Sequence, residues 1–387
     1  MVRLKKHVIL VGFILITFAS QAVWVTFSPA VTLVASDIGV RAEYIGYLAV
    51  TYPLFFLILT VPSGILLDRN FRFWLFFGAL MTLLGGAGRL IAFSSYYWLL
   101  ACQLLAAVGQ PFLLNGFVPF ASRLYEERRS VIISVLSLSM YLGTVFALLT
   151  GYELYSSGGM FSLILPSAIL SLMGFLMFIS GVKYLRSEGG EIGRISLSDV
   201  VGRRDLWLIG IILGLGVAAF DNLATWLQPA LETVNLGEIA GDAVAISIVL
   251  GLAGVAFIPG IIAGRNGRTR YMRSIVPLIA VFFGILIFIQ SKILVFLFLA
   301  LSGLLMLPAY PLIMDWIGKF HEKNIQGSAT GFVGLVSRAI SVFLMFMAPY
   351  FIYSAKAYFA FLTAVVLSAF IFTLILPDDG KMEKIYS

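Results

Sequence analysis

Charge is what this sequence has least of. Only 12% of its 387 residues are Asp, Glu, Lys or Arg, against 60% hydrophobic, and soluble domains carry about twice that share of charge. With a mean hydropathy of +1.02, a soluble globule is excluded. Cysteine and histidine are nearly as scarce. The single Cys102 lies inside an apolar run and the two histidines, His7 and His321, are far apart, so neither a disulfide framework nor a Cys/His metal cluster can form. HExxH, the Walker loop and the dinucleotide glycine fingerprint are all missing. Ser180-Gly181-Val182-Lys183 does match Ser-x-x-Lys, but that pattern is a frequent accident at a helix end. The expectation is therefore a protein that is not an enzyme, takes no cofactor or metal, and is not driven by ATP.

What the chain has instead is long apolar runs. A helix needs about 20 apolar residues to cross a bilayer, and such runs fall near 8–35, 43–67, 73–93, 97–122, 129–150 and 162–183, then near 205–231, 242–264, 274–290, 292–317, 326–350 and 354–376. They predict an all-α integral membrane protein of twelve transmembrane helices in two six-helix bundles. The predicted domains are an N-terminal bundle over 1–185, a polar linker over 186–204, a C-terminal bundle over 205–377 and a tail over 378–387. The start, Met1-Val2-Arg3-Leu4-Lys5-Lys6, imitates a signal peptide, yet its apolar run continues to about Ala35 without a convincing cleavage site, so it reads as the first span.

Orientation follows from Lys and Arg, which concentrate in cytoplasmic loops. With both termini on one side, twenty-one of them share that side and three, Arg41, Lys292 and Lys356, face the other. The termini are therefore expected in the cytoplasm of a multi-pass cell-membrane protein. The net charge of +7 has the same origin and does not point to nucleic acid.

Between spans 2 and 3 the hairpin Gly64-Ile65-Leu66-Leu67-Asp68-Arg69-Asn70-Phe71-Arg72 breaks the apolar pattern, and Gly260-Ile261-Ile262-Ala263-Gly264-Arg265-Asn266-Gly267-Arg268 echoes it half a chain later. Pro29 and Pro229, and Pro111 and Pro308, recur at nearly the same offset, which reads as a duplicated bundle. Gly64-x-Leu66-Leu67-Asp68-Arg69-x-x-Arg72 resembles the loop signature of the major facilitator superfamily. That resemblance implies the superfamily's fold, a secondary transport activity, and gating roles for Gly64, Asp68, Arg69 and Arg72. Because Gly264 stands where Asp68 does, only the first copy is expected to form the carboxylate latch. Tyr52-Pro53-Leu54 through Pro62, Gly109-Gln110-Pro111-Phe112-Leu113-Leu114-Asn115, Gly237-Glu238 through Arg265, and Gly327-Ser328-Ala329-Thr330-Gly331 are similar to the feline leukaemia virus subgroup C receptor-related branch. That branch is associated with choline, ethanolamine and haem transport. Trp24 falls where it carries a tryptophan that helps cage a quaternary amine, whereas Tyr141 and Arg338 stand where it carries glutamine.

An ionisable side chain at a span centre costs about 2.5–3.5 kcal/mol on insertion scales, so it usually faces a cavity or a partner. Asp221 lies about 24 Å along span 7 and Arg338 about 18 Å along span 11, at neighbouring depths. They are candidates for substrate binding and for coupling: Asp221 by changing its protonation or pairing, Arg338 by holding an anionic group. A plain ion pair that fixes the second bundle is the competing reading. Gly210, Gly214, Asp221, Thr225 and Gln228 share one face of span 7, as Gly327, Gly331, Gly334, Arg338 and Ser341 do on span 11, marking either a cavity wall or close helix packing. Thr17, Gln21, Trp24 and Ser28 on span 1, and Ser130, Ser134, Ser137, Tyr141 and Thr144 on span 5, form further polar stripes. From these stripes Gln21, Trp24 and Tyr141 are substrate-binding candidates. Gln110 and Asn115, which flank a Pro111 expected to bend span 4, and Asn222 beside Asp221 complete the set. Arg89, near the outer end of span 3, reads as a snorkelling anchor, and Asp315 as a gate partner for the basic loops.

The function expected is secondary active transport of a small organic solute by alternating access, with protons or another ion as possible coupling partners. Organic cation and organic anion both stay open. The rival class is a non-transporting membrane sensor or receptor of the same fold. The expected partners are the bilayer, the solute and a proton or other coupling ion, with no nucleic acid, for a monomer.

Overall fold

The structure is a computed structural model that describes residues 2–182, 185, 198–322 and 325–386. Among the described residues it is helical throughout, with no strand. Eleven helical stretches among the described residues are long and apolar enough to cross a membrane. One of them, Val131–Gly181, is two spans, because Gly158 (φ −154°) and Gly159 (φ +62°) leave the helical region inside it. Gly159 meets that left-handed φ without steric cost. The spans number twelve, and they fall into two compact units, Met1–Gly193 and Arg194–Ser387. The greater part of the predicted linker, 186–197, lies outside the described residues.

The first unit comprises α1 (Val2–Val25), α2 (Val31–Ile38), α3 (Ala42–Arg69), α4 (Phe71–Gly88), α5 (Tyr96–Asn115), α6 (Phe117–Leu124) and the folded pair α7 (Arg129–Gly181). Helix α1 is wrapped by both arms of α7. A Cβ on Gly174 would stand 2.7 Å from Ile16 N, and one on Gly143 would collide with Phe18 O. Small residues let helices approach where lipid supplies no hydrophobic drive. Phe13 fills the gap beside that seam, 4.6 Å from the Phe120 ring and 6.0 Å from Phe178. Gly143→Val should therefore force α1 and α7 apart and cost about 1–3 kcal/mol of overpacking strain. A melting point in detergent as high as that of the parent would contradict this packing account.

The second unit comprises α8 (Ser198–Val201), α9 (Arg204–Glu232), α10 (Ala240–Gly264), α11 (Arg268–Phe288), α12 (Lys292–Met306), α13 (Ala309–Phe320), α14 (Gln326–Met347), α15 (Ala355–Ile375) and α16 (Asp379–Tyr386). Its span 10 breaks between α12 and α13 at Leu307–Pro308, since proline has no N–H to continue the ladder. The Tyr271 hydroxyl donates to the carbonyl of Leu305 at 2.8 Å, so a backbone acceptor at the break finds a partner.

Three expectations change. Span 1 is not one helix to residue 35 but breaks after Val25 and resumes at Val31. Span 4 is not one helix to residue 122 but runs unbroken past Pro111 to Asn115 and resumes at Phe117. Arg89 does not snorkel: it is wholly buried.

Candidate functional site

Each unit encloses a cluster of polar side chains inside its spans. In the second unit Asp221, midway along α9, is 2% exposed. Its Oδ2 accepts hydrogen bonds from Arg338 Nη1 at 2.9 Å and from Ser341 Oγ at 2.6 Å. Arg338 and Ser341 are three residues apart on α14 and so share a face. The approach is set by small residues, because a Cβ on Gly214 would lie 2.9 Å from Ser337 Cα and one on Gly210 2.9 Å from Val336 Cγ1. The two small-residue faces thus differ in kind. That of α9 is close packing, whereas Cβ atoms on Gly327, Gly331 and Gly334 of α14 would meet nothing within 4 Å.

The pair is unequal in access, with side-chain exposure of 3% for Asp221 and 30% for Arg338. Beside it, Asn222 donates to Ala218 O at 2.7 Å and its backbone carbonyl accepts from Tyr358 Oη at 2.8 Å. Asn222 Oδ1 and Thr225 Oγ1 are buried with no partner among the described residues. Unmet polar atoms of this kind are uncommon in an apolar interior and signal a water or ligand position.

The first unit's cluster forms where span 1 breaks. Pro29 has no N–H for the carbonyl of Val25, and the last carbonyls of a helix have no helical partner. Side chains from two other helices take them up. Arg89, just past α4, donates to Val23 O at 2.9 Å and to Thr26 Oγ1 at 3.1 Å, and also binds Gln103 Oε1. Gln103, on α5, donates to Trp24 O at 3.3 Å. The Trp24 indole N–H donates to Ala49 O at 3.0 Å, and its ring stacks on Tyr52 with centroids 6.4 Å apart. On α1, Thr17 Oγ1 and Gln21 Nε2 are buried without partners among the described residues.

The remaining candidates are scattered. Gln110 is buried in α5. Asn115 donates to Thr60 O and Ser63 Oγ, each at 2.8 Å, and so ties α5 to α3. Tyr141 is half-buried, Ser134 exposed and Thr144 buried; the Ser130 side chain lies outside the described residues.

The two hairpins are held differently. In the first, Asn70 Oδ1 accepts from Phe73 N at 3.1 Å and caps α4. Gly64 and Asp68 are half-buried, Arg69 and Arg72 exposed, and neither Asp68 nor either arginine has an ion-pair partner among the described residues. The second hairpin does not lack carboxylates for having Gly264. Arg268 pairs with Asp315 of α13 and, at 3.0 Å, with Asp379 of α16. Asp315, expected as a gate partner, is held within its own unit by this pair. Lys319 bonds Glu383 at 2.5 Å and Asn266 Oδ1 at 2.7 Å. The predicted tail is thus a docked helix.

Sequence reasoning read Arg89 as an anchor and missed Gln103 and Tyr52 as members of this cluster. The available signals were an ionisable residue inside a span and a proline five residues beyond Trp24.

Comparison with known proteins adds independent findings. A family model described as Major Facilitator Superfamily matches residues 13–345. An uncharacterized MFS-type transporter of Caenorhabditis elegans is 20% identical, covering 99% of this chain and 71% of that protein. An uncharacterized protein of Archaeoglobus fulgidus is 25% identical over 46% of this chain and 84% of its own length. Among solved structures, a bacterial homologue of the human lysosomal transporter Spinster, inward-facing and unoccupied, superposes with a TM-score of 0.77 at 14% identity, covering 99% of this chain and 98% of that one. A D-xylose–proton symporter does so with a TM-score of 0.70 at 14% identity, covering 97% and 98%. At that identity the likeness shows the fold alone.

Proposed function

The chain belongs to the major facilitator superfamily of membrane transporters, and from that premise we propose that it is a secondary active transporter moving a small organic solute by alternating access, with Asp221 as its proton-coupling group. The observation that carries the reading is the carboxylate buried at 2% exposure inside a span and bonded to a guanidinium that is 30% exposed. Protonation of Asp221 removes the charge that holds Arg338, and a solute anion at Arg338 competes for the same donors. Proton and solute are thereby linked through one side chain. Such linkage is reciprocal: the proton shifts solute affinity as far as the solute shifts proton affinity.

Because Arg338 is the accessible member, the geometry favours a solute bearing a carboxylate or similar planar anion, which a guanidinium can grip with two parallel hydrogen bonds. A cationic solute is the second reading. It is favoured by the Trp24–Tyr52 stack, by the cation–π attraction such rings supply, and by the resemblance to the choline-transporting branch. Gln21, Gln110, Tyr141 and Asn222 are proposed to line the path, with both termini cytoplasmic in the cell membrane. The test is uptake by reconstituted proteoliposomes, with and without an inward proton gradient, of mono- and dicarboxylates against choline. Choline uptake without carboxylate uptake would favour the second reading, while ligand binding without counterflow of any solute would make the protein a sensor.

The first hairpin is proposed as the moving latch, since within its own unit Asp68 has nothing to hold it among the described residues. Asp68→Asn should slow turnover at least tenfold while leaving the melting point unchanged, and Gly264→Asp should bring no gain. Unimpaired turnover in the Asp68 variant would remove the latch from the reading.

A further inference from the structure

A cation sealed from solvent is expensive unless it is compensated, and Arg89, at 0% exposure, has no carboxylate within ion-pair distance among the described residues. What compensates it is the broken end of span 1. The carbonyl end of a helix carries about half a negative charge, and Arg89 sits on it. It donates to Val23 O and to Thr26 Oγ1, while the Thr26 hydroxyl in turn donates to Ala22 O at 2.7 Å. The Phe27 ring lies 5.1 Å from the guanidinium carbon and presents its π face. Gln103 completes the arrangement by accepting from Arg89 and donating to Trp24 O. The held segment is therefore Val23 to Phe27, with Trp24 inside it.

A helix end alone does not require a guanidinium. Thr26 already supplies a hydroxyl cap, and a small neutral residue would cost less to bury. The excess makes sense if the orientation of the segment matters more than its mere termination. Trp24 is pinned at three points: its carbonyl by Gln103, its indole N–H by Ala49 O, and its ring by Tyr52. Of the atoms that hold the segment on either side, Val23 O and Thr26 Oγ1 both answer to Arg89.

We propose that Arg89 is a positioning residue that fixes the Trp24 ring over Tyr52 by clamping the break in span 1 to α4 and α5. This deepens the reading of Trp24 as a site residue. Lysine substitutes only in part, because one ammonium cannot reach Val23 O, Thr26 Oγ1 and the Gln103 amide together as a guanidinium fork does.

The experiment is fluorine NMR of the full chain labelled with 5-fluorotryptophan, the Trp24 line being assigned by Trp24→Phe. In Arg89→Gln the Trp24 line should shift or split, while those of Trp226 and Trp316, which are fully buried in the second unit, stay in place. Arg89→Lys should displace the Trp24 line less. A purely structural role would lower the melting temperature and leave the line of the still-folded protein unmoved, and that result would overturn the proposal. If Arg89→Gln does not fold, Gln103→Leu, which removes the bond to Trp24 O, gives the same readout with the same two outcomes. If neither folds, Arg89 is scaffold and the proposal falls. The readout needs no solute, so failure of the transport reading leaves it standing, and an unmoved line leaves transport untouched.

Discussion

Asp221→Asn is expected to abolish proton-gradient-driven uptake, with at least a hundredfold loss. Solute exchange at equal pH should suffer far less. Asparagine keeps the shape and can still accept from Ser341, but it carries no charge for Arg338 and takes up no proton. Removing one member of a buried pair leaves the other uncompensated, at a cost of about 3–5 kcal/mol for a fully buried pair. Arg338 retains 30% exposure, so water can share its charge and the low end, about 3 kcal/mol, is expected. The double variant Asp221→Asn, Arg338→Gln should recover most of that stability without recovering coupled uptake. A plain structural ion pair predicts otherwise: the double variant would regain uptake with stability. Measuring thermal melting and gradient-driven uptake on the same three preparations separates the two, and coupled uptake in Asp221→Asn itself would end the coupling assignment.

Asp379→Ala should give a large loss of stability in the second unit. The carboxylate is 2% exposed and serves two helices. Its Oδ2 pairs with Arg268 Nη1 at 3.0 Å, and its Oδ1 accepts from Thr269 N at 3.1 Å. The N-terminus of α11 has no cap of its own, because Gly267 stands at that position, so Asp379 supplies it from α16. Alanine removes an ion pair and a cap together, and with them a tie between α11 and α16. Arg268 keeps Asp315, which limits the loss to about 3 kcal/mol, or on the order of 6–12 °C in melting temperature for a unit this size. Asp379→Asn, which can still accept from Thr269 N, should lose roughly half as much. Equal melting of Asp379→Ala and the parent would mean that α16 is not docked in solution.

Much of the architecture was legible in the residues. The apolar runs counted the spans, because each crossing demands a minimum apolar length. The repeat of Asp68 by Gly264 showed that the two hairpins could not be alike. How the second hairpin is held was not legible, since Arg268 finds Asp379 more than a hundred positions downstream, in a stretch that reads as a polar tail. Asp221 and Arg338 stood out singly, as any charge in a span does, and their matching depths suggested a pair. That Ser341 joins them, and that Arg338 is the accessible partner, depends on how α14 is rotated, which spacing leaves open.

Sequence alone determined that the chain is a bundle of membrane-crossing helices with sparse internal charge, because the lipid solvent imposes length and polarity on each segment separately. Only tertiary structure decided what each internal charge does. Asp221 took a guanidinium and a hydroxyl, Asp379 took a neighbouring helix's N-terminus, and Arg89 took the broken end of span 1 where an anchor at the membrane surface was expected. The reason is that a buried charge is settled by whichever dipoles and counter-charges packing brings within hydrogen-bond reach, and those partners come from helices distant in sequence.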